Sequence, residues 1–278
     1  MRTHRENRSP RRSTTWWTVG VIALSLVFLA PLVVMVLGSL QRPLQPPPDG
    51  LDLWPDPAEW SNYLAVPRFM PLAWLLLNSL LLVVVAVPVT VVVTSMAGLA
   101  IVTARGRLRR GLIGVSVFML LVPAAALWVP RVVLLRGVGL ADTPLTVALL
   151  ALAGTTPFYV LLFALAYSRI PVSLLEAATL EGLSPYAVWR RVALPLGRPA
   201  AVAVAALSTL YYWSTFMDPL TLVSSPGNWP VALGLRRLSE MEAALYPIYL
   251  AGAVIVTAPA LLAFAIGQRS FFASVERS

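Results

Sequence analysis

Residues Ile170 to Leu196 read IPVSLLEAATLEGLSPYAVWRRVALPL, a polar island with Glu176, Glu181, Arg190 and Arg191 set between long apolar runs. An ionised side chain in bilayer hydrocarbon costs about 3 kcal/mol or more, so this island belongs in water and its flanks in the membrane. Its local code is helix, turn, helix. Pro171 suits a first turn, where a missing N–H is no loss, and Leu174, Ala178 and Glu181 then share one face. Gly182 ends that helix by tolerating the left-handed conformation common just past a C-terminus. Ser184-Pro185 restarts the chain as an N-cap followed by a first-turn proline, and Leu194-Pro195 closes the second helix. Such an element serves contact, not chemistry: Ala177 and Ala178 admit a close surface, and Glu176 offers a carboxylate to a partner's arginine. Arg190 and Arg191 can pair with acidic groups or simply follow the charge bias of membrane loops.

The rest of the chain supports the membrane reading. Hydrophobic residues make up 58% of it and charged residues 12%, with a mean hydropathy of +0.79, too apolar for a soluble domain of this size. Cysteine is absent and the only histidine, His4, lies in the basic N-terminal tail, so no thiol nucleophile, disulfide framework or histidine-based metal site is expected. All 21 basic residues are arginine, which rules out the lysine of a phosphate-binding P-loop. The chain cannot be its own P-loop ATPase. Its net charge of +9 sits in short loops beside apolar runs, which is topology and not a nucleic-acid footprint.

About 20 apolar residues cross a bilayer as a helix, and the sequence predicts an all-α membrane protein with six such spans: 16–38, 74–102, 111–130, 144–168, 199–218 and 244–267. A basic tail at 1–15 precedes them, the polar loop at 170–196 joins the fourth to the fifth, and a tail at 268–278 follows. Fifteen of the 21 arginines fall on the face shared by both termini and the 170–196 loop, so the positive-inside rule places that face in the cytoplasm. The first span reads as a retained helix and not a cleaved signal peptide, because its uncharged run exceeds an h-region and its removal would break the arginine parity.

On the opposite face, the 39–73 loop carries Pro43, Pro46, Pro47, Pro48, Pro55 and Pro57, which predict an extended, turn-rich connection. Trp54, Trp60 and Tyr63 are read there as anchors at the membrane interface or as contacts for a partner. A second external loop is marked by the turn residues of Ser224 to Pro230. The fifth span is dense in polar and aromatic groups. Tyr211, Tyr212, Trp213, Ser214 and Thr215, with Asn78 in the second span, form the candidate substrate path, since rings stack on sugar C–H faces while hydroxyls bond sugar hydroxyls. Arg131 and Asp218 are placed near external helix ends, solvated and without special function.

The arrangement of Pro171, Glu176-Ala177-Ala178, Gly182 and Leu194-Pro195-Leu196 between spans four and five resembles the cytoplasmic EAA loop of ABC importer permeases. The likeness covers nearly the whole chain and is to the smaller six-span subunit of maltose-type carbohydrate transporters. Asn78-Ser79-Leu80, Gly139-Leu140-Ala141-Asp142-Thr143, Gly154-Thr155-Thr156-Pro157-Phe158 and Trp229-Pro230-Val231-Ala232-Leu233 each look like segments of that family. The resemblance implies a type I importer fold with both termini cytoplasmic, in a bacterial cell membrane. It implies that Glu176, Ala177, Ala178, Gly182, Arg190 and Arg191 contact a cytoplasmic ATPase dimer holding ATP and Mg. It also implies a second, different permease subunit and an extracytoplasmic solute-binding protein, which would meet Pro226, Gly227, Asn228 and Trp229. Where relatives often carry Trp-Asn-Asp/Glu-Phe, this chain has Trp213-Ser214-Thr215-Phe216, so substrate contacts do not carry over. The expected function is a non-enzymatic importer subunit for a sugar or oligosaccharide. A polyol phosphate or polyamine is the alternative cargo, and an ion-coupled secondary transporter is the alternative mechanism.

Overall fold

The computed structural model describes residues 12–44, 54–143, 146, 157–241 and 243–275. Among these, helix is the only regular structure. The expected motif residues Gly154, Thr155 and Thr156, the start of the expected fourth span, and most of the basic N-terminal tail lie outside the described residues. The chain divides into two units, residues 1–66 with 241–254, and residues 67–240 with 255–278.

In the first unit, α1 (Arg12–Ser39) carries an apolar stretch of which nothing is buried among the described residues, which suits a lipid environment. Its C-terminus needs partners for orphan carbonyls. Asn62, fully buried, donates to the backbone oxygens of Ser39 at 2.9 Å and Gln41 at 2.8 Å. The hydroxyls of Ser39 and Tyr63 lie 2.7 Å apart. These partners come from α2 (Ser61–Phe69), a helix inside the connection expected to be irregular. The prolines that motivated that expectation end at Pro57, and Ser61 to Val66 carries none, so one short helix forms beyond them. Tyr63 is tethered, whereas Trp54 and Trp60 are exposed.

The second unit is organised on α3 (Leu72–Thr103). Leu75, Ser79, Leu82, Ala86, Thr90, Thr94 and Gly98 are all buried along it, a stripe at three- and four-residue spacing that defines one inward face. Around it lie α4 (Gly106–Leu121), α5 (Ala124–Gly137), α6 (Pro157–Tyr167), α7 (Val172–Leu180), α8 (Pro185–Leu196), α9 (Arg198–Ser214), α10 (Met217–Leu222) and α11 (Val231–Ser239). The last helix, α12 (Tyr246–Val275), begins in the first unit and continues in the second. Small residues set the closest approach. A Cβ on Gly98 would lie 2.6 Å from the Phe163 Cβ and 2.9 Å from the Ala164 nitrogen, so α3 and α6 meet backbone to backbone.

Among the described residues, two helices are long and apolar enough to cross a membrane, α1 from Trp17 and α3, and the number rises to five if each bent pair counts as one span. The pairs are α4 with α5 at 96°, α6 with α7 at 87°, and α8 with α9 at 84°. The stretch 111–130, expected as one span, therefore breaks. Pro123 disfavours the helical conformation for Val122, which sits at φ −72°, ψ 119°. The stretch 199–218 also breaks, at Thr215 and Phe216. In a continuous helix the Pro219 ring would strike the Thr215 carbonyl; instead Thr215 is extended and Pro219 falls in the first turn of α10.

Candidate functional site

At the Thr103 end of α3, the polar loop folds as α7, a turn, and α8. Gly182 adopts φ +83°, as its place after α7 demands, and the Ser184 hydroxyl accepts from the Ala187 N–H at 3.3 Å. The N-cap and the turn match the local code. The facing of α7 does not. Leu175 and Ala178 are buried, while Leu174 is 44% exposed and Ala177 and Glu181 face outward. The apolar seam follows Leu175 and Ala178, three apart, because these two enter a cluster with Leu99, Val102, Phe163, Tyr167, Val188 and Trp189. Ala178 thus packs inward and is not part of an open surface.

α8 is fixed from below. The buried Trp189 Nε1 donates to the Ser95 hydroxyl of α3 at 2.9 Å, and a π-helical turn at Trp189–Ala193 carries Arg190 and Arg191 into solvent. The Glu176 carboxylate, expected to be free, accepts from the Arg105 guanidinium of the chain itself. That ion pair is solvent-exposed, so it contributes little and is readily exchanged for another cation. Two clefts flank α7. One of about 390 Å³ is lined by Arg105, Arg109, Leu175 and Glu176, and one of about 410 Å³ by Met96, Leu99, Tyr186 and Trp189.

At the Leu72 end of α3, residues 224–231 form a loop held at several points. Asp142, itself at φ +59°, accepts on its carboxylate from the Ser224 N–H at 3.0 Å, the Ser225 N–H at 2.9 Å and the Ser225 hydroxyl at 2.6 Å. The Asn228 amide donates to the Asp142 backbone oxygen at 2.8 Å. The Ser225 hydroxyl and N–H, together with the Ser224 N–H, hold the Asp142 carboxyl below the usual carboxylate range. From α3, the Asn78 amide donates to the Gly227 and Trp229 oxygens at 2.7 and 3.0 Å, and the Ser79 hydroxyl accepts from the Val231 N–H at 2.8 Å. Arg237 lies 5.4 Å over the Trp229 ring. Pro226, Gly227, Asn228 and Trp229 are thus one constrained loop, and Asn78 spends its amide on that loop. Sequence reasoning noted Asp142 only as part of a motif and gave Ser79 no role.

The expected substrate-path residues do not gather on one face. The Tyr212 hydroxyl is buried 2.9 Å from the Thr90 hydroxyl, Trp213 Nε1 donates to the Val256 oxygen at 3.1 Å, and Ser214 bonds back to the Leu210 oxygen at 2.8 Å. Thr215 is buried and Tyr211 is exposed, its hydroxyl donating to the Asp218 carboxylate at 3.3 Å. Arg131 and Asp218, expected as solvated helix ends, instead form a buried ion pair with N–O 3.6 Å and side chains 14% and 9% exposed. α10 packs on α5 and shields both charges from most of the solvent.

Residues 91–273, about two thirds of the chain, match the family model described as the binding-protein-dependent transport system inner membrane component. The chain belongs to this family. As a binding-protein-dependent inner membrane component it is a multi-pass protein of a bacterial membrane and an ABC transporter permease. Relatives of this inner membrane component include the arabinooligosaccharides transport system permease protein AraQ of Halalkalibacterium halodurans, 26% identical over 93% of each chain. The trehalose transport system permease protein SugB of Mycobacterium tuberculosis is 26% identical over 95% of this chain and 96% of its own. The lactose transport system permease protein LacG of Rhizobium radiobacter is 27% identical over 70% of each.

Proposed function

We propose that the chain is the permease subunit of a binding-protein-dependent ABC importer for a sugar or oligosaccharide. In this reading it spans the membrane six times with both termini in the cytoplasm, as the arginine distribution requires. Separate ATPase subunits, which hold the ATP and Mg, dock on α7. The observation that carries the reading is the construction of α7: Leu175 and Ala178 root it in the core while Glu176 and Ala177 remain exposed beside two clefts. A helix rooted on one face and open on the other transmits force without being dislodged. Arg190 and Arg191, exposed on α8, extend the same surface. A second permease subunit completes the path, and an extracytoplasmic binding protein meets the 224–229 loop. The carbohydrate cargo is supported by the relatives, whose names give arabinooligosaccharides, trehalose and lactose. An ion-coupled carrier needs a titratable group within its spans, and the one buried carboxylate among the described residues, Asp218, is already paired with Arg131.

Glu176→Lys and Gly182→Pro, placed in the assembled complex, are expected to abolish uptake and the stimulation of ATP hydrolysis while leaving the subunit assembled in the membrane. Uptake at the unsubstituted rate in both variants would remove α7 as the docking element. Screening the co-assembled binding protein for thermal stabilisation against a panel of sugars, polyol phosphates and polyamines decides the cargo, because a ligand that binds only the folded state raises apparent stability by mass action.

A further inference from the structure

Arg131 and Asp218 belong neither to the α7 surface nor to the loop at 224–231, yet they are the buried opposite charges that tie α5 to α10. α10 has six residues, too few to hold a helix by its own hydrogen bonds, so its position comes from what it touches. Leu222 and Val223 pack with Leu135 of α5, but apolar burial is non-directional and leaves the helix free to slide or roll. A guanidinium and a carboxylate shielded from solvent attract between two fixed points, and that attraction weakens as the helices slide apart. Both Asp218 oxygens face partners within the chain: Oδ1 lies 3.6 Å from Arg131 Nη1, and Oδ2 accepts from the Tyr211 hydroxyl at 3.3 Å. At the other end of α10 the Asp142 N–H donates to the Leu222 oxygen at 3.1 Å, just before the serines that Asp142 clasps. Arg131 of α5 and Asp142, five residues past its end, thus hold α10 near both of its ends.

We propose that Arg131 and Asp218 are a positioning pair: their contact sets the register of α10 on α5 and so delivers Ser224 and Ser225 to Asp142, holding the 224–231 loop in its presented form. The consequence for transport rests on the reading of that loop as the surface that meets the binding protein. Losing one charge leaves the other buried and unpaired, which drives α10 off its seat.

The test is amide exchange of the 222–231 segment in the assembled complex without binding protein, with the 172–180 segment as folding control, in Arg131→Met, Asp218→Asn, Arg131→Lys and the charge swap Arg131→Asp with Asp218→Arg. Both neutral variants are expected to speed exchange at 222–231 by about tenfold with 172–180 unchanged, because exchange reports local opening. Arg131→Lys and the swap are expected to recover most of the protection. The neutral variants are further expected to raise the binding-protein concentration for half-maximal ATPase stimulation more than they lower its maximum. Unchanged exchange at 222–231 alongside lost uptake overturns the proposal and returns the pair to the solute path. Equal exchange in Arg131→Lys and Arg131→Met overturns it as well. Faster exchange with an unaltered dependence on binding protein keeps the positioning role and instead removes the receptor reading of the loop.

Discussion

Asp142 shows how one residue can fix a loop. Its carboxylate takes two backbone N–H groups and a hydroxyl, and hydrogen bonds to the ionised form lower its pKa. A depressed folded-state pKa means the stabilisation is present at and above the unfolded value of about 3.9 and is lost as the pH falls through the folded value. Protection factors at Ser224 and Ser225 are therefore expected to stay level from pH 7 to about 5 and to collapse only below about 4. Asp142→Asn is expected to lower protection above about pH 4, where the carboxylate is ionised, and to remove the acid transition, which amide exchange against pH checks directly. The motif around Asp142 was visible in the sequence. What it binds was not, because its partners lie more than eighty residues on, and no local pattern encodes that pairing.

Among the elements, the turn at Gly182 and the cap at Ser184 were legible because both are local backbone chemistry. The phase of α7 was not, since a sequence with apolar residues at both Leu174 and Leu175 permits two seams and only the core chooses. The five candidate path residues at 211–215 failed to share a face for a plainer reason: the four helical positions Tyr211 to Ser214 already span a full turn, and Thr215 lies beyond the helix end. Helix contact makes its own prediction at Gly98. Gly98→Ala places a methyl against the backbone of α6 and is expected to lower stability by about 1–3 kcal/mol. Gly114→Ala in α4, where an added Cβ meets nothing within 4 Å, is expected to be neutral or to stabilise by about 0.5–1 kcal/mol. Thermal unfolding of the purified subunit compares the two. The break at Pro123 belongs to this scale too: hydropathy marks which residues are in lipid, and says nothing of how they bend there.

For the molecule as a whole, the membrane class, the polar island and the absence of a P-loop were readable from composition, which needs no geometry. The burial of Arg131 and Asp218 was not, since two charges far apart in sequence look solvated until tertiary structure brings them together. The Asp142 clasp and Glu176 lie at opposite ends of α3 and share no partner. Stability losses in Asp142→Asn and Glu176→Lys are therefore expected to add within about 0.5 kcal/mol in the double variant. Losses in uptake are expected not to add, because either one halts the same cycle. Melting and uptake on the same set of variants separate these cases.

α3 is anchored at Asn78 to the loop and near its far end, through Ser95, to Trp189. At 1.5 Å per residue the distance from Asn78 to Thr103 is about 38 Å. A rod of that length is a lever arm: a tilt of about one degree at one end displaces the other by about 0.7 Å, a quarter of a hydrogen-bond length. Pro88 is its one interior section without an N–H. The tolerance of the whole device is thus set by the straightness of one helix, and small errors at either end are magnified at the other.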